Sequence, residues 1–227
     1  MNKYTLNEKF FDIIDTEEKA YILGFIFADG NVNDVSRDKH YRLRVTLKHE
    51  DADILAKIKS SLDFTGRIHN RELKSKQRDT SGYKISELSI SNKYLITRLI
   101  SLGVVPNKTL IIQYPTIPKH LHRHFIRGFF DGDGSIYLRK DRKNGINFEL
   151  SCASRDFITE LAKIIQNETG VELRVYTKPT KVQMSVIKVS QNKARLILDW
   201  MYADSNIYLD RKYLMYKELV APLVSNS

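Results

Sequence analysis

Residues 21–32 read YILGFIFADGNV, and residues 125–136 read FIRGFFDGDGSI. Gly24, Asp29 and Gly30 recur as Gly128, Asp133 and Gly134, each pair 104 residues apart. Downstream, VVPNKTL carries Lys108 and IYLDRKYL carries Lys212, again 104 apart and each 79 residues beyond its aspartate. LAKIK from Leu55 echoes LAKII from Leu161, and ISNK to Lys93 echoes SQNK to Lys193. Ordered matches along both halves indicate a duplicated folding unit. The repeat predicts two halves, 1–113 and 114–227, joined through QYPTIPKH (113–120), where two prolines interrupt regular structure.

Each half predicts the same order of elements. Asp15-Thr-Glu-Glu18 has the spacing of a capping box and opens an apolar helix that runs into Ala28-Asp29-Gly30. YRLRVTLK (41–48) alternates, with Leu43, Val45 and Leu47 on one side and Arg42, Arg44, Thr46 and Lys48 on the other. Residues 51–62 are helical by pattern, strands follow near 66–71 and 83–90, and a helix covers 92–102. The second half repeats this with strands near 135–140, 147–153, 172–178 and 182–190. The reading is an α+β protein with two antiparallel sheets.

The 227 residues carry 37 Lys plus Arg against 27 Asp plus Glu, a net charge of +10 that favours a polyanionic partner, above all nucleic acid. A single cysteine, Cys152, excludes an intramolecular disulfide and a multi-cysteine zinc site. No secretory leader or membrane-spanning run is evident, so an intracellular, reduced protein is expected. His120, His122 and His124 lack the acid–histidine signature of a zinc helix and read as linker or surface residues near nucleic acid.

Gly24 and Ala28, like Gly128 and Gly132, are four residues apart and would let two helix backbones approach closely. Packing of these helices would bring Asp29 and Asp133 together at their negative C-terminal ends, where divalent cations relieve the repulsion. Hard oxygen donors suit Mg²⁺, and the carbonyls of Ala28 and Gly132 are natural additional ligands.

The two segments resemble the paired signature motifs of the LAGLIDADG homing endonucleases in their single-chain, two-motif form, over about Glu18 to Glu218. The resemblance implies two pseudo-twofold-related αββαββα units forming a saddle of antiparallel sheets over duplex DNA, with the motif helices packed at the centre. It implies a monomer that cuts both strands of a long asymmetric target with Mg²⁺, or Mn²⁺ or Ca²⁺ as substitutes, leaving short 3′ overhangs. Asp29 and Asp133 align with the essential acids, Lys108 and Lys212 with the basic residues near the scissile phosphates, and Lys48 with a polar active-site position. Two departures stand out: Phe27 where the second copy has Asp131, and Ala153 or Ser154 where the first has Lys48. Either half-site can therefore differ in cleavage rate. An RNA-splicing maturase acting on intron RNA and a non-cleaving DNA-binding regulator are the alternatives on this fold. Neither the splicing nucleophile nor the terminal His-Asn pair of an intein is seen, so a free-standing or intron-encoded chain is expected.

DNA contacts are expected from alternating strand rows, because a two-stranded ribbon fits the major groove. These rows are Arg42, Arg44 and Thr46; Arg67, His69 and Arg71; Tyr137 and Arg139; and Arg174, Tyr176 and Lys178.

Overall fold

A computed structural model describes residues 4–33, 40–74, 82–105, 112–138, 145–179 and 183–220. Of the residues singled out above, Lys108 and Arg139 lie outside the described residues. The first half contains α1 (Glu17–Asp29), β1 (Gly30–Val32), β2 (Arg42–Lys48), α2 (Asp53–Ser61), β3 (Ile68–Leu73), β4 (Tyr83–Ser91) and α3 (Lys93–Ser101). The second contains α4 (His122–Asp133), β5 (Gly134–Leu138), β6 (Ile146–Cys152), α5 (Arg155–Thr169), β7 (Val175–Lys178), β8 (Met184–Ser190), α6 (Gln191–Tyr202) and α7 (Asp210–Leu219). The anticipated αββαββα order is present in both halves, and the second ends with one helix more.

The sheets have matching order, β1-β2-β4-β3 and β5-β6-β8-β7, with antiparallel pairing throughout. Period-2 alternation sorts their faces. In the first sheet Leu43, Val45, Leu88 and Ile90 point into the core, as do Ile54, Leu55 and Ile58 of α2 and Leu95, Ile96 and Leu99 of α3. In the second, Phe148, Leu150 and Ile187 are buried with Phe157, Ile158 and Leu161 of α5 and Ile197 and Leu198 of α6. The alternation of residues 43–47 is confirmed except at Leu47, which is only half-buried.

Local signals set the helix limits. Asn92 caps α3 by accepting from Leu95 N at 2.8 Å, and Ser154 caps α5 by accepting from Phe157 N at 3.4 Å. Gly170, at φ 70°, ends α5 in the left-handed conformation. The capping box expected at Asp15 is corrected. The helix starts at Glu17, so Thr16 is the cap and accepts from Lys19 N at 3.3 Å. Asp15, displaced by one position, pairs with Lys19 Nζ at 2.8 Å instead.

By contacts, the chain divides into two compact units: residues 1–13 with 29–106, and residues 14–28 with 107–227. The sequence repeat and the compact units thus divide the chain differently. Most of α1 belongs with the second half, because its buried surface is satisfied by α4.

Candidate functional site

Residues Ala20 to Ala28 of α1 are all buried, as are His124 to Asp131 of α4, so neither helix presents a simple amphipathic stripe. Their contact is built on two glycines. A Cβ on Gly24 would lie 2.0 Å from the carbonyl oxygen of Phe125, and one on Gly128 would lie 2.0 Å from the carbonyl oxygen of Tyr21. The two contacts are equivalents under the 104-residue offset, 24 on 125 and 128 on 21. Backbone therefore meets backbone at a locally twofold crossing, as the spacing of small residues predicts.

At the C-terminal end of this pair, Ala28 and Asp133 line one pocket of about 250 Å³ together with Phe27, Ile112, Ser151, Cys152, Ala153 and Met184. Asp133 is exposed and Gly132 half-buried. Asp29 closes α1 and is half-buried. The donor set fits a hard divalent cation: an exposed carboxylate beside helix-end peptide groups, on an open pocket that leaves room for water and phosphate oxygens. Among the described residues no three His, Cys, Asp or Glu side chains form a closed metal cage.

Lys212 reaches the same helix end, but not as a solvent-facing cation. It is 3% exposed, and Nζ donates to the carbonyls of Phe130 (2.6 Å), Asp131 (2.8 Å) and Gly134 (2.6 Å). The last turn of α4 has no basic residue of its own. The Lys212 ammonium supplies that charge from α7, satisfies helix-end carbonyls and offsets the negative end of the dipole. These three peptide groups flank Asp133, so Lys212 fixes the backbone that carries it. Lys48 is exposed at the end of β2 with Glu50 3.6 Å away. In the second half, Ser154 caps α5 and donates to Ile112 O at 2.8 Å, while Ala153 lines the pocket.

Sequence reasoning missed a buried polar network beside this seam. Asp131 accepts from Tyr21 OH (2.7 Å), from Leu209 N (2.8 Å) and from Tyr202 OH. Burial pushes its carboxyl up, against the lowering effects of Lys212 and these donors. Burial likewise pushes the Tyr21 and Tyr202 hydroxyls well above the usual phenol value, with the Asp131 charge adding to it. Arg127, fully buried, donates to Glu17 Oε1 (2.7 Å), Met201 O (2.7 Å), Ile207 O (3.1 Å) and His124 Nδ1 (3.1 Å). A guanidinium only donates, so Nδ1 is the acceptor and His124 is neutral. Burial, and next the Arg127 charge, hold the His124 imidazole down at about 4. The expectation of a surface histidine is therefore corrected for His124, which is buried against its own helix partner Arg127.

The departure from the motif at Phe27 finds its reason here. Under the repeat offset, Tyr21·Asp131 and Phe125·Phe27 are equivalent pairs across the crossing. The first is a hydrogen bond of 2.7 Å, and the second an edge-on ring contact at 5.2 Å between centroids. An acid at position 27 would face an apolar ring with no donor, so Phe27 suits Phe125 as Asp131 suits Tyr21.

The polar sheet faces carry most of the expected binding rows. Arg44, Thr46, His69 and Arg71 share the outer face of the first sheet, and Thr46 and His69 both register with Glu87. Arg71 Nη2 donates to Glu87 Oε2 at 2.5 Å, Thr46 Oγ1 donates to it at 3.3 Å, and Arg44 Nε lies 3.6 Å away. In the second sheet, Glu149 receives Lys178 Nζ at 3.2 Å, Lys188 Nζ at 3.3 Å and Tyr137 OH at 3.3 Å. Arg42 is half-buried, while Arg67, His69 and Tyr176 are exposed. Arg174 stands apart, paired with Glu172 at 3.6 Å. No described helix is long and apolar enough to cross a membrane.

Comparison with known proteins accords with this geometry. A LAGLIDADG-like domain model matches residues 120–199, and a WhiA LAGLIDADG-like domain model matches residues 18–88. The fold is similar to that of the homing endonuclease I-WcaI bound to its DNA recognition sequence (TM-score 0.61, 12% identity, 88% of this chain and 87% of that one). It is also similar to that of I-DmoI in complex with DNA and Ca (TM-score 0.60, 16% identity, 93% and 99%). Among curated proteins, the chain is 26% identical over 131 residues to a DNA polymerase of Acanthamoeba polyphaga mimivirus and 28% identical over 143 residues to one of Thermococcus hydrothermalis. It matches 57% and 60% of this chain but spans only 7% and 8% of those polymerases.

Proposed function

The chain belongs to the LAGLIDADG family, and from that premise we propose that it is a homing endonuclease, a monomeric enzyme that cuts both strands of a long asymmetric DNA site. The observation that carries this reading is the glycine crossing of α1 and α4, which sets Ala28 and Asp133 on one pocket at the end of the pair. Glycines in both helices, in equivalent contact, are a costly choice for helix interiors unless close approach is needed.

Asp29 and Asp133 are the acids that hold divalent cations, with the Ala28 and Gly132 carbonyls as supporting ligands. A bound Mg²⁺, Mn²⁺ or Ca²⁺ would supply charge neutralisation and Lewis acidity for phosphodiester hydrolysis. Lys212 keeps the peptide groups around Asp133 in place. Lys108, its repeat equivalent, serves the first half, and Lys48 assists one strand. The strand rows Arg42, Arg44, Thr46; Arg67, His69, Arg71; Tyr137, Arg139; and Arg174, Tyr176, Lys178 hold the duplex, with the net charge of +10 drawing it in. The enzyme acts inside the cell, where its DNA lies.

A second reading is a non-cleaving DNA-binding protein on the same fold. It is favoured by the WhiA-like match of residues 18–88 and by Lys212, whose ammonium is committed to carbonyls. One assay separates the two. With Mg²⁺ and a selected target, the wild-type chain converts supercoiled plasmid to linear DNA, and Asp133→Asn binds the same site without linearising it. Binding without any cleavage by the wild-type chain would favour the second reading.

A further inference from the structure

Five residues of the expected DNA-binding rows converge on two carboxylates that no row contains. In the first sheet Arg44, Thr46 and Arg71 meet on Glu87; in the second, Tyr137 and Lys178 meet on Glu149, joined by Lys188. Each acid sits at the centre of its sheet: Glu87 registers with Thr46 on β2 and His69 on β3, and Glu149 with Ser135 on β5 and Lys188 on β8. Their side chains are only 13% and 19% exposed, whereas the cations over them are about half exposed. Each sheet thus has a carboxylate floor under a basic roof.

That arrangement is poor for simply attracting DNA. An acid beneath a phosphate-binding face lowers the local potential and holds cations back from the backbone. It is well suited to something else. An arginine fixed by a carboxylate keeps one edge of its guanidinium engaged and offers the remaining N–H groups in a fixed direction. Reading a guanine edge needs two donors held in one plane, whereas a phosphate accepts a cation from many directions.

Resting on the DNA-binding reading above, we propose that Glu87 and Glu149 are specificity-positioning residues. Each holds its basic neighbours off the phosphates and aimed at base edges, so that affinity for arbitrary duplex is sacrificed for discrimination. Glu149 is suited to staying charged in this role. Burial pushes its carboxyl up, but the Lys178 and Lys188 hydrogen bonds outweigh this and hold it below the usual carboxylate range. At the first sheet the same geometry is built by Glu87, with Arg71 Nη2 2.5 Å and Arg44 Nε 3.6 Å from its Oε2.

The test measures duplex binding by the full chain without cleavage, in Ca²⁺, on two probes: a selected target and a scrambled duplex of equal length. Wild type, Glu87→Gln, Glu149→Gln and Arg71→Gln are titrated between 50 and 300 mM salt. Each Glu→Gln variant is expected to bind the scrambled duplex roughly fivefold more tightly, with a salt slope steeper by about one. The ratio of target to scrambled affinity should fall roughly tenfold. Arg71→Gln should weaken both probes and lower the ratio. Opposite effects on scrambled duplex from the two partners of one ion pair cannot come from a folding defect, which would weaken both variants alike. A wild-type chain that binds the target but shows no change of ratio in either Glu→Gln variant would overturn the proposal and leave the DNA-binding reading standing. A wild-type chain that binds neither probe in a salt-dependent way would overturn both.

Discussion

Replacing Gly128 with alanine tests the helix crossing on which the site is built. The new methyl would lie 2.0 Å from the Tyr21 carbonyl oxygen and 2.9 Å from Phe25 N. Both obstacles are backbone, so no side chain can rotate away, and the helices must part by ~1 Å or more to reach ordinary contact. Overpacking of this kind costs ~3 kcal/mol, and the better helix propensity of alanine returns ~1 kcal/mol. The net loss of ~2 kcal/mol corresponds to a melting temperature lower by ~4–8 °C for a chain of this size. Thermal unfolding followed by far-UV circular dichroism reads it directly. Gly24→Ala should behave alike, since it meets Phe125 O at the same 2.0 Å. The double variant should lose less than the sum, because one separation of the helices relieves both clashes. The same shift displaces Ala28 against Asp133, and cleavage at temperatures below melting should fall ~100-fold. A melting temperature that rises, as for an exposed helical glycine, would refute the crossing.

Four further outcomes follow from the same contacts. Asp131→Ala strands the hydroxyls of Tyr21 and Tyr202 and the amide of Leu209, and should cost ~3 kcal/mol in chemical denaturation. Lys212→Met leaves three carbonyls without their donor, and an unfolding midpoint equal to wild type would show that the ammonium does not hold the end of α4. His124 protonates at about 4 in the native chain, below the ordinary histidine value. The unfolded chain therefore takes up a proton first, and stability should fall as pH drops below ~6.5 toward 4, a slope that His124→Gln flattens. Asp133→Asn should keep target binding in a mobility-shift assay and lose double-strand cleavage in Mg²⁺; equal nicking rates would remove Asp133 from the chemistry.

Much of the fold was legible because duplication prints the αββαββα order twice. The glycines at 24 and 128 announced a close helix approach, and the alternation of Arg42 to Lys48 sorted a sheet face correctly. The buried network was harder to read, since Arg127, Asp131 and His124 look like ordinary surface polar residues until four elements close around them. The Phe27 departure looked like a lost acid, and only the crossing shows its ring packed on Phe125 while Tyr21 meets Asp131. Spacing alone paired Lys212 with Asp133, yet spacing does not say whether an ammonium faces solvent or, as here, carbonyls. Glu87 and Glu149 escaped notice for a similar reason. An acid in a basic strand pattern looks like noise until the folded sheet brings two cations onto it, Arg44 and Arg71 onto Glu87 and Lys178 and Lys188 onto Glu149.

The most direct measurement is a selection for cleaved molecules from a randomised duplex library incubated with the full chain and Mg²⁺. If the chain is a homing endonuclease, one long asymmetric sequence is enriched, cut on both strands with short 3′ overhangs, and none is enriched with Asp133→Asn. Recovery of bound but intact duplex, in Mg²⁺ and Mn²⁺ alike, would contradict it.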